Sequence, residues 1–205
     1  MQYYKLTNEK MQTYGDCQWT VGVEKTTDGT GDLCSPGWLH CYNSPLLAIL
    51  LNPIGADFLD PRLFKIKTGG KKKTDRGLKF GFTKMSLTKE IPVPVITVEQ
   101  KIKFAILCAL KVCKDRRFRQ WAKAWLSGKD RSYAAARAAR AAADAARAAR
   151  AAARVAYAAA DAAGAIDAAD VAYAAARVAN AATYAADAAA KGKTDLVKLV
   201  KKAME

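Results

Sequence analysis

The sequence predicts an α+β protein: a small, mainly antiparallel sheet domain with helices, followed by an alanine-rich helical segment. Three observations carry this. Short runs up to about residue 95 alternate apolar with polar residues, as half-buried strands do. Past Pro94 the apolar spacing changes to three and four, the period of a helix. Between Ala134 and Ala190, 36 of 57 residues are alanine, the best helix former and one that loses no side-chain entropy on folding.

Taken in order, Tyr3-Tyr4-Lys5-Leu6 reads as a first strand and Gln18–Val23 as a second. A Gly/Asp/Thr loop follows over Asp28–Asp32, then a short aromatic strand, Trp38–Tyr42. Ser44-Pro45 is the N-cap and first residue of a helix over Leu46–Leu51, which Asn52-Pro53 is expected to end. Leu63-Phe64-Lys65-Ile66-Lys67 alternates apolar with basic, a half-buried strand. Gly69–Gly77, with Lys71, Lys72, Lys73 and Arg76, reads as a basic hairpin-like loop. Leu78–Lys89 supplies one or two further strands, and Pro92 and Pro94 stop the sheet.

Thr97 with Gln100 forms a capping box before an apolar run. Ile102, Ala105, Ile106, Ala109 and Leu110 share one helical face, and a second helix follows over Arg116–Leu126, with Trp121 and Trp125 four apart. Ser127–Asp130 is a stop, and Ser132 caps the alanine segment. In that segment Arg140, Arg147, Arg154 and Asp161 recur every seven residues, as do Asp170, Arg177, Tyr184 and Lys191. The two series are out of phase around Gly164. A strict seven-residue repeat implies a left-handed supercoil. The phase break fits two helices folded back as a hairpin, or one long helix with a register shift. Either way the packing face is lined with methyls, and Ala146, Arg147, Tyr157, Ala175 and Tyr184 are expected at an oligomer contact. Thr194 is expected to cap a last amphipathic helix through Leu196, Val197, Leu199 and Val200. The expected organisation is therefore 1–95, an α+β domain; 96–130, a helical extension; 131–191, an assembly segment; and 192–205, a basic C-terminal helix.

Charge bounds the function. The formal net charge is +15, and residues 1–130 hold 22 basic against 12 acidic residues. Such a surface attracts nucleic acid, nucleotides or acidic membrane. Met1–Lys10 lacks the apolar stretch of a signal peptide, and Leu46–Leu51 and Phe104–Leu110 are too short to span a bilayer. Five cysteines without framework spacing read as reduced thiols. A cytoplasmic place in a bacterial host cell is the expectation.

The candidate chemistry is sparse. His40, the only histidine, lies among Cys34, Cys41, Trp38 and Tyr42. Zinc would need a fourth ligand, for which Cys17 is the nearby candidate. Cysteine catalysis would need His40 in contact with Cys17 or Cys34, because adjacent strand residues point apart. A buried histidine bonded to backbone is expected instead, with His40, Trp38 and Tyr42 as a possible pocket. No cofactor is expected. The anion ligands expected are Lys71, Lys72, Lys73 and Arg76 in the first cluster and Arg116, Arg117 and Arg119 in the second, the latter interleaved with Phe118, Trp121 and Trp125, a pairing that suits nucleotides or single strands.

Tyr14-Gly15-Asp16-Cys17-Gln18-Trp19, Val21-Gly22, Leu33-Cys34-x-x-Gly37-Trp38-Leu39-His40-Cys41 with Pro45-Leu46, and Arg62–Ile66 together resemble an uncharacterised domain family of phage and prophage genomes. The likeness covers roughly residues 3–95. Trp38-Leu39 here replaces the family's single aromatic before the histidine. The resemblance implies phage origin, a small α+β domain and an alanine-rich repeat tail, and brings no activity with it. A histidine on an early strand also resembles ADP-ribosyltransferases, although no Tyr or Glu motif completes their triad. The expected function is non-enzymatic: a homo-oligomer that binds a nucleotide signal or nucleic acid, or meets a host defence protein, to counter host defence. The alternatives are an ADP-ribosyltransferase-like enzyme using His40 and a purely structural assembly protein.

Overall fold

The computed structural model of the protein describes residues 1–75, 77–136 and 194–205. The chain divides into two compact units, Met1–Val95 and Ile96–Glu205. The first contains β1 (Tyr3–Thr7), β2 (Gln12–Thr13), β3 (Cys17–Gln18), β4 (Glu24–Thr26), β5 (Leu39–Cys41), α1 (Pro45–Gly55), β6 (Arg62–Thr74) and β7 (Phe80–Ile91). The second contains α2 (Val98–Val112), α3 (Arg116–Leu126) and α4 (Leu196–Met204).

The β6–β7 hairpin is the spine of an antiparallel sheet ordered β1-β6-β7-β4, with β5 also paired to β7. Two 2.8 Å backbone bonds between Tyr4 and Tyr42 tie the end of β5 to β1. Pairing therefore runs from β1 through β6, β7 and β5 and back to β1. Inside lie Tyr3, Trp19, Phe64, Ile66, Phe80, Phe82, Met85 and Leu87. Tyr3 meets Phe80 and Phe82 edge to face, with centroids 5.2 and 5.0 Å apart, the geometry that ring quadrupoles favour. On the opposite face α1 covers Leu6 and Leu63, with Ala48 and the half-buried Tyr4, Tyr42 and Ile49.

Several local expectations are corrected. Gly69–Lys73 is strand, not loop. Gly70, at φ +73°, sits in a register shift between Gly69 and Lys72, and a Cβ there would lie 2.1 Å from the Thr83 hydroxyl. Glycine thus serves a bulge, and the turn falls at Asp75–Lys79, where the Asp75 amide donates to the Lys79 carbonyl at 3.0 Å. Gln18–Val23 does not form one strand: β3 ends at Gln18, Gly22 takes φ +83°, and β4 begins at Glu24. Helix α1 runs past Asn52-Pro53 to Gly55. Asn52 closes it, its carbonyl accepting from the Ala56 and Asp57 amides at 2.9 and 2.7 Å and its side-chain amide donating to the Phe58 carbonyl at 2.8 Å.

In the second unit, Thr97 and Gln100 make the reciprocal capping box. Phe118, Trp121, Ala122 and Trp125 are the buried face of α3, so the tryptophan pair is core. Ser132 accepts from the Ala135 amide at 3.2 Å. Asp195 caps α4, where Thr194 was expected. The buried face of α4 is Leu196, Leu199, Val200 and Ala203, and Gln100 donates to the Met204 carbonyl at 3.2 Å. The C-terminal helix thus docks within its own unit.

Candidate anion-binding surface

The Cys34–Cys41 box builds a rigid corner. Gly37 is forced by crowding, since a Cβ there would stand 2.3 Å from the Thr30 carbonyl. Gly81 of β7 leaves room for Leu33 and Trp38: a Cβ there would stand 2.5 Å from the Leu33 side chain and 3.2 Å from the Trp38 ring. Trp38 donates to the Gly31 carbonyl at 3.3 Å. His40 pairs Nε2 with the Leu33 carbonyl. A carbonyl only accepts, so that nitrogen carries the proton. Burial, first, and the nearby Lys5 and Lys79 charges hold its pKa below the ordinary value. This is a neutral histidine spent on tying down a loop.

Trp38 and His40 bond to the 28–38 loop, at the Gly31 and Leu33 carbonyls, whereas Tyr42 pairs with Tyr4 and packs with Ala48 of α1. All five cysteines are free. Cys41 is fully buried, and desolvation pushes its pKa up to about 12. Cys34 is exposed, and its sulfur accepts from Lys79 at 3.0 Å. Among the described residues no three His, Cys, Asp or Glu side chains are grouped to hold a metal ion.

The expected basic ligands have unequal fates. Lys73 donates to the Gly31 carbonyl at 3.0 Å, lies 3.8 Å from Asp32 and stands 5.7 Å above the Trp38 ring. Lys72 stands 5.1–5.9 Å from the Tyr3, Phe80 and Phe82 ring centres, covering the aromatic core. Lys71 gives its backbone amide to Thr83 at 2.9 Å. Arg119 is no free ligand: it donates to the Leu110 and Cys113 carbonyls at 2.8 and 3.1 Å, satisfying the open end of α2. Arg116 and Arg117 are exposed at the start of α3. Arg76, Ala146, Arg147, Tyr157, Ala175 and Tyr184 lie outside the described residues.

Two groups escaped the sequence reading. Lys5 is buried, at 6% exposure, donates to the His40 carbonyl at 2.9 Å and lies 4.6 Å from the Trp19 ring centre. Its position two residues after Tyr3 in β1 was the available signal, because both then face the core. The other group is Lys65, Lys67 and Lys89. The Leu63–Lys67 alternation turns the first two outward, but only the register shows Lys89 directly opposite Lys65.

Strands β6 and β7 together carry eight Lys and Arg against one carboxylate, Glu90. Three of these cations have an acidic partner among the described residues: Arg62 with Glu90 at 2.6 Å, Lys73 with Asp32 at 3.8 Å, and Lys84 with Glu24 at 4.0 Å. Among the described residues no helix is long and apolar enough to cross a membrane. Comparison with protein-family models, curated proteins and solved structures finds no match to this chain.

Proposed function

We propose that this protein is a non-enzymatic binding protein for a phosphate-bearing ligand, nucleic acid or nucleotide, held by charge on the first unit. The observation that carries this reading is the charge excess of the hairpin: eight cations against one carboxylate on β6 and β7, five of the eight in no ion pair among the described residues. A fold gains nothing from such an excess, since like charges on one sheet repel. An arriving polyanion turns the same repulsion into attraction and releases counterions. The commitment of His40 to the Leu33 carbonyl favours binding over an ADP-ribosyltransferase-like reaction at that residue. Assembly through the alanine-rich segment is proposed from its seven-residue spacing alone, and a counter-defence role in a phage-infected cell from the family resemblance.

Native mass spectrometry of the full chain purified from a bacterial host, with a salt series of binding to single-stranded DNA, duplex DNA and adenine nucleotides, tests this. A co-purified anion, or affinity falling steeply with salt, is the expected result. An oligomer that binds none of these probes leaves a structural assembly protein, and NAD consumption lost on His40→Ala would establish the enzyme instead.

A further inference from the structure

On the sheet face that α1 partly covers, β1, β6 and β7 set three residues in one row. Tyr4 is opposite Lys65, and Lys65 is opposite Lys89. Lys67 follows two residues after Lys65 in β6, so its side chain leaves by the same face. All three lysines are exposed, and Tyr4 is half-buried. Helix α1 covers this face at Leu63, two residues before Lys65. Apolar surface therefore gives way to ammonium groups within one strand repeat.

None of Lys65, Lys67 and Lys89 makes an ion pair among the described residues. Lysines directly opposite each other destabilise a sheet, and a nearby acid would have relieved the strain. The side chains start about 5 Å apart across the strands and about 6.6 Å apart along β6. Lysine heads on flexible stems act as point charges that follow phosphates without reading bases. The tyrosine ring beside them packs on the Leu6–Leu63 cluster yet stays half-exposed, and aromatic surface of that kind can stack a base.

We propose that Tyr4, Lys65, Lys67 and Lys89 form a site for single-stranded nucleic acid, with the lysines on phosphates and a base against Tyr4. The proposal rests on the anion-binding reading above and places its anchor in the half of the hairpin away from Lys71–Lys73. A single strand is favoured over a duplex because stacking on a side chain needs a base free of its own stack.

The test is fluorescence anisotropy of the full chain with a labelled oligothymidine and a duplex of equal length, across a salt series. Three variants are compared: Lys65→Ser/Lys67→Ser/Lys89→Ser, Lys71→Ser/Lys72→Ser/Lys73→Ser, and Tyr4→Leu. The first two remove the same charge. Losing three phosphate contacts should lower the salt slope by about 2 in the first variant, while the second keeps the wild-type slope. Tyr4→Leu should weaken single-strand binding by about tenfold and leave duplex binding unchanged. Thermal melting controls for folding, and the first variant should melt at or above the wild type because repulsion is relieved. Equal slopes in the first variant and the wild type, or a larger loss in the second, would overturn the site while leaving the anion reading intact. Tighter duplex binding with no effect of Tyr4→Leu would overturn the single-strand assignment. A wild type that binds neither probe nor any nucleotide would overturn the broader reading as well.

Discussion

Replacing Lys5 with methionine should change how stability depends on pH, by an amount the structure sets. The Lys5 ammonium is enclosed by Trp19, Cys41, Cys17 and the His40 carbonyl, and that carbonyl accepts one of its three protons. Burial lowers its pKa from 10.5 to about 8, against weaker opposing effects of Cys41 and Cys17. Below pH 8 the folded and unfolded chains both carry the charge, and the folded chain bears the full desolvation cost. Between pH 8 and 10.5 the folded chain loses the proton first, so the unfolded state binds more protons and stability rises with pH. The whole rise amounts to about 3 kcal/mol. Cys41 and Tyr42 act in the opposite sense. Burial pushes both up to about 12 from 9.0 and 10.0, so above pH 9 the unfolded chain sheds their protons first and stability falls. The wild type should therefore be most stable near pH 9. Lys5→Met retains Cys41 and Tyr42, so their contributions cancel in the difference between the two chains. Urea unfolding of both proteins from pH 7 to 10.5 measures that difference, which should move by about 3 kcal/mol in favour of the wild type as pH rises. A difference that stays flat with pH would refute the reasoning, because an ammonium that keeps its ordinary pKa is not desolvated by this core.

His40→Ala should lower the melting temperature by releasing the Leu33 carbonyl and the loop it anchors, at about 1–3 kcal/mol; an unchanged melt would show the contact to be idle. Gly37→Ala should cost more, since its Cβ would fall 2.3 Å from the Thr30 backbone, and loss of cooperative unfolding by circular dichroism is the expected sign. Arg119→Met should destabilise by about 1.5–3 kcal/mol, because two carbonyls at the end of α2 lose a charged donor; weaker anion binding at unchanged stability would instead make Arg119 a ligand. A disulfide-exchange reagent should modify Cys34 quickly in the folded protein and reach Cys41 and Cys108 only on unfolding, as their burial requires.

The elements legible in the sequence are those whose signal is local. Thr97 and Gln100 announce α2 because the capping box is a contact between residues three apart. The Leu63–Lys67 alternation announces β6 because period two needs no knowledge of the partner strand. Ser44-Pro45 marks the start of α1 for the same reason. Gly69-Gly70 misleads because a bulge and a turn call for the same residue, and only the partner strand distinguishes them. The partners of His40, Trp38 and Tyr42 were beyond reach for a related reason. Alternation groups the three residues, but only the folded chain shows Trp38 and His40 bonded to the Gly31 and Leu33 carbonyls and Tyr42 paired with Tyr4.

What a sequence withholds most completely is the identity of cross-strand neighbours, and here that decides the candidate site. Lys65 faces Lys89 because the register shifts by one residue between Lys65 and Ile66. The extra residue, Thr88, is passed over by the register and donates its hydroxyl across to the Lys65 carbonyl at 2.9 Å. In an unbulged hairpin that kept Ile66 opposite Leu87, Thr88 would stand opposite Lys65, and a neutral hydroxyl would sit beside one ammonium. The bulge substitutes a second ammonium and creates the local repulsion on which the proposed anion binding would draw. Exchanging the two residues, Thr88→Lys with Lys89→Thr, should therefore do more than permute a strand. It puts a hydroxyl opposite Lys65 and moves the ammonium to the bulge position, without altering the chain's net charge. Compared with the wild type in the same salt series, such an exchange distinguishes a surface that binds by total charge from one that binds by the placement of Lys65 against Lys89. An unchanged slope in the folded exchange variant would assign binding to total charge, and a reduced slope would assign it to placement.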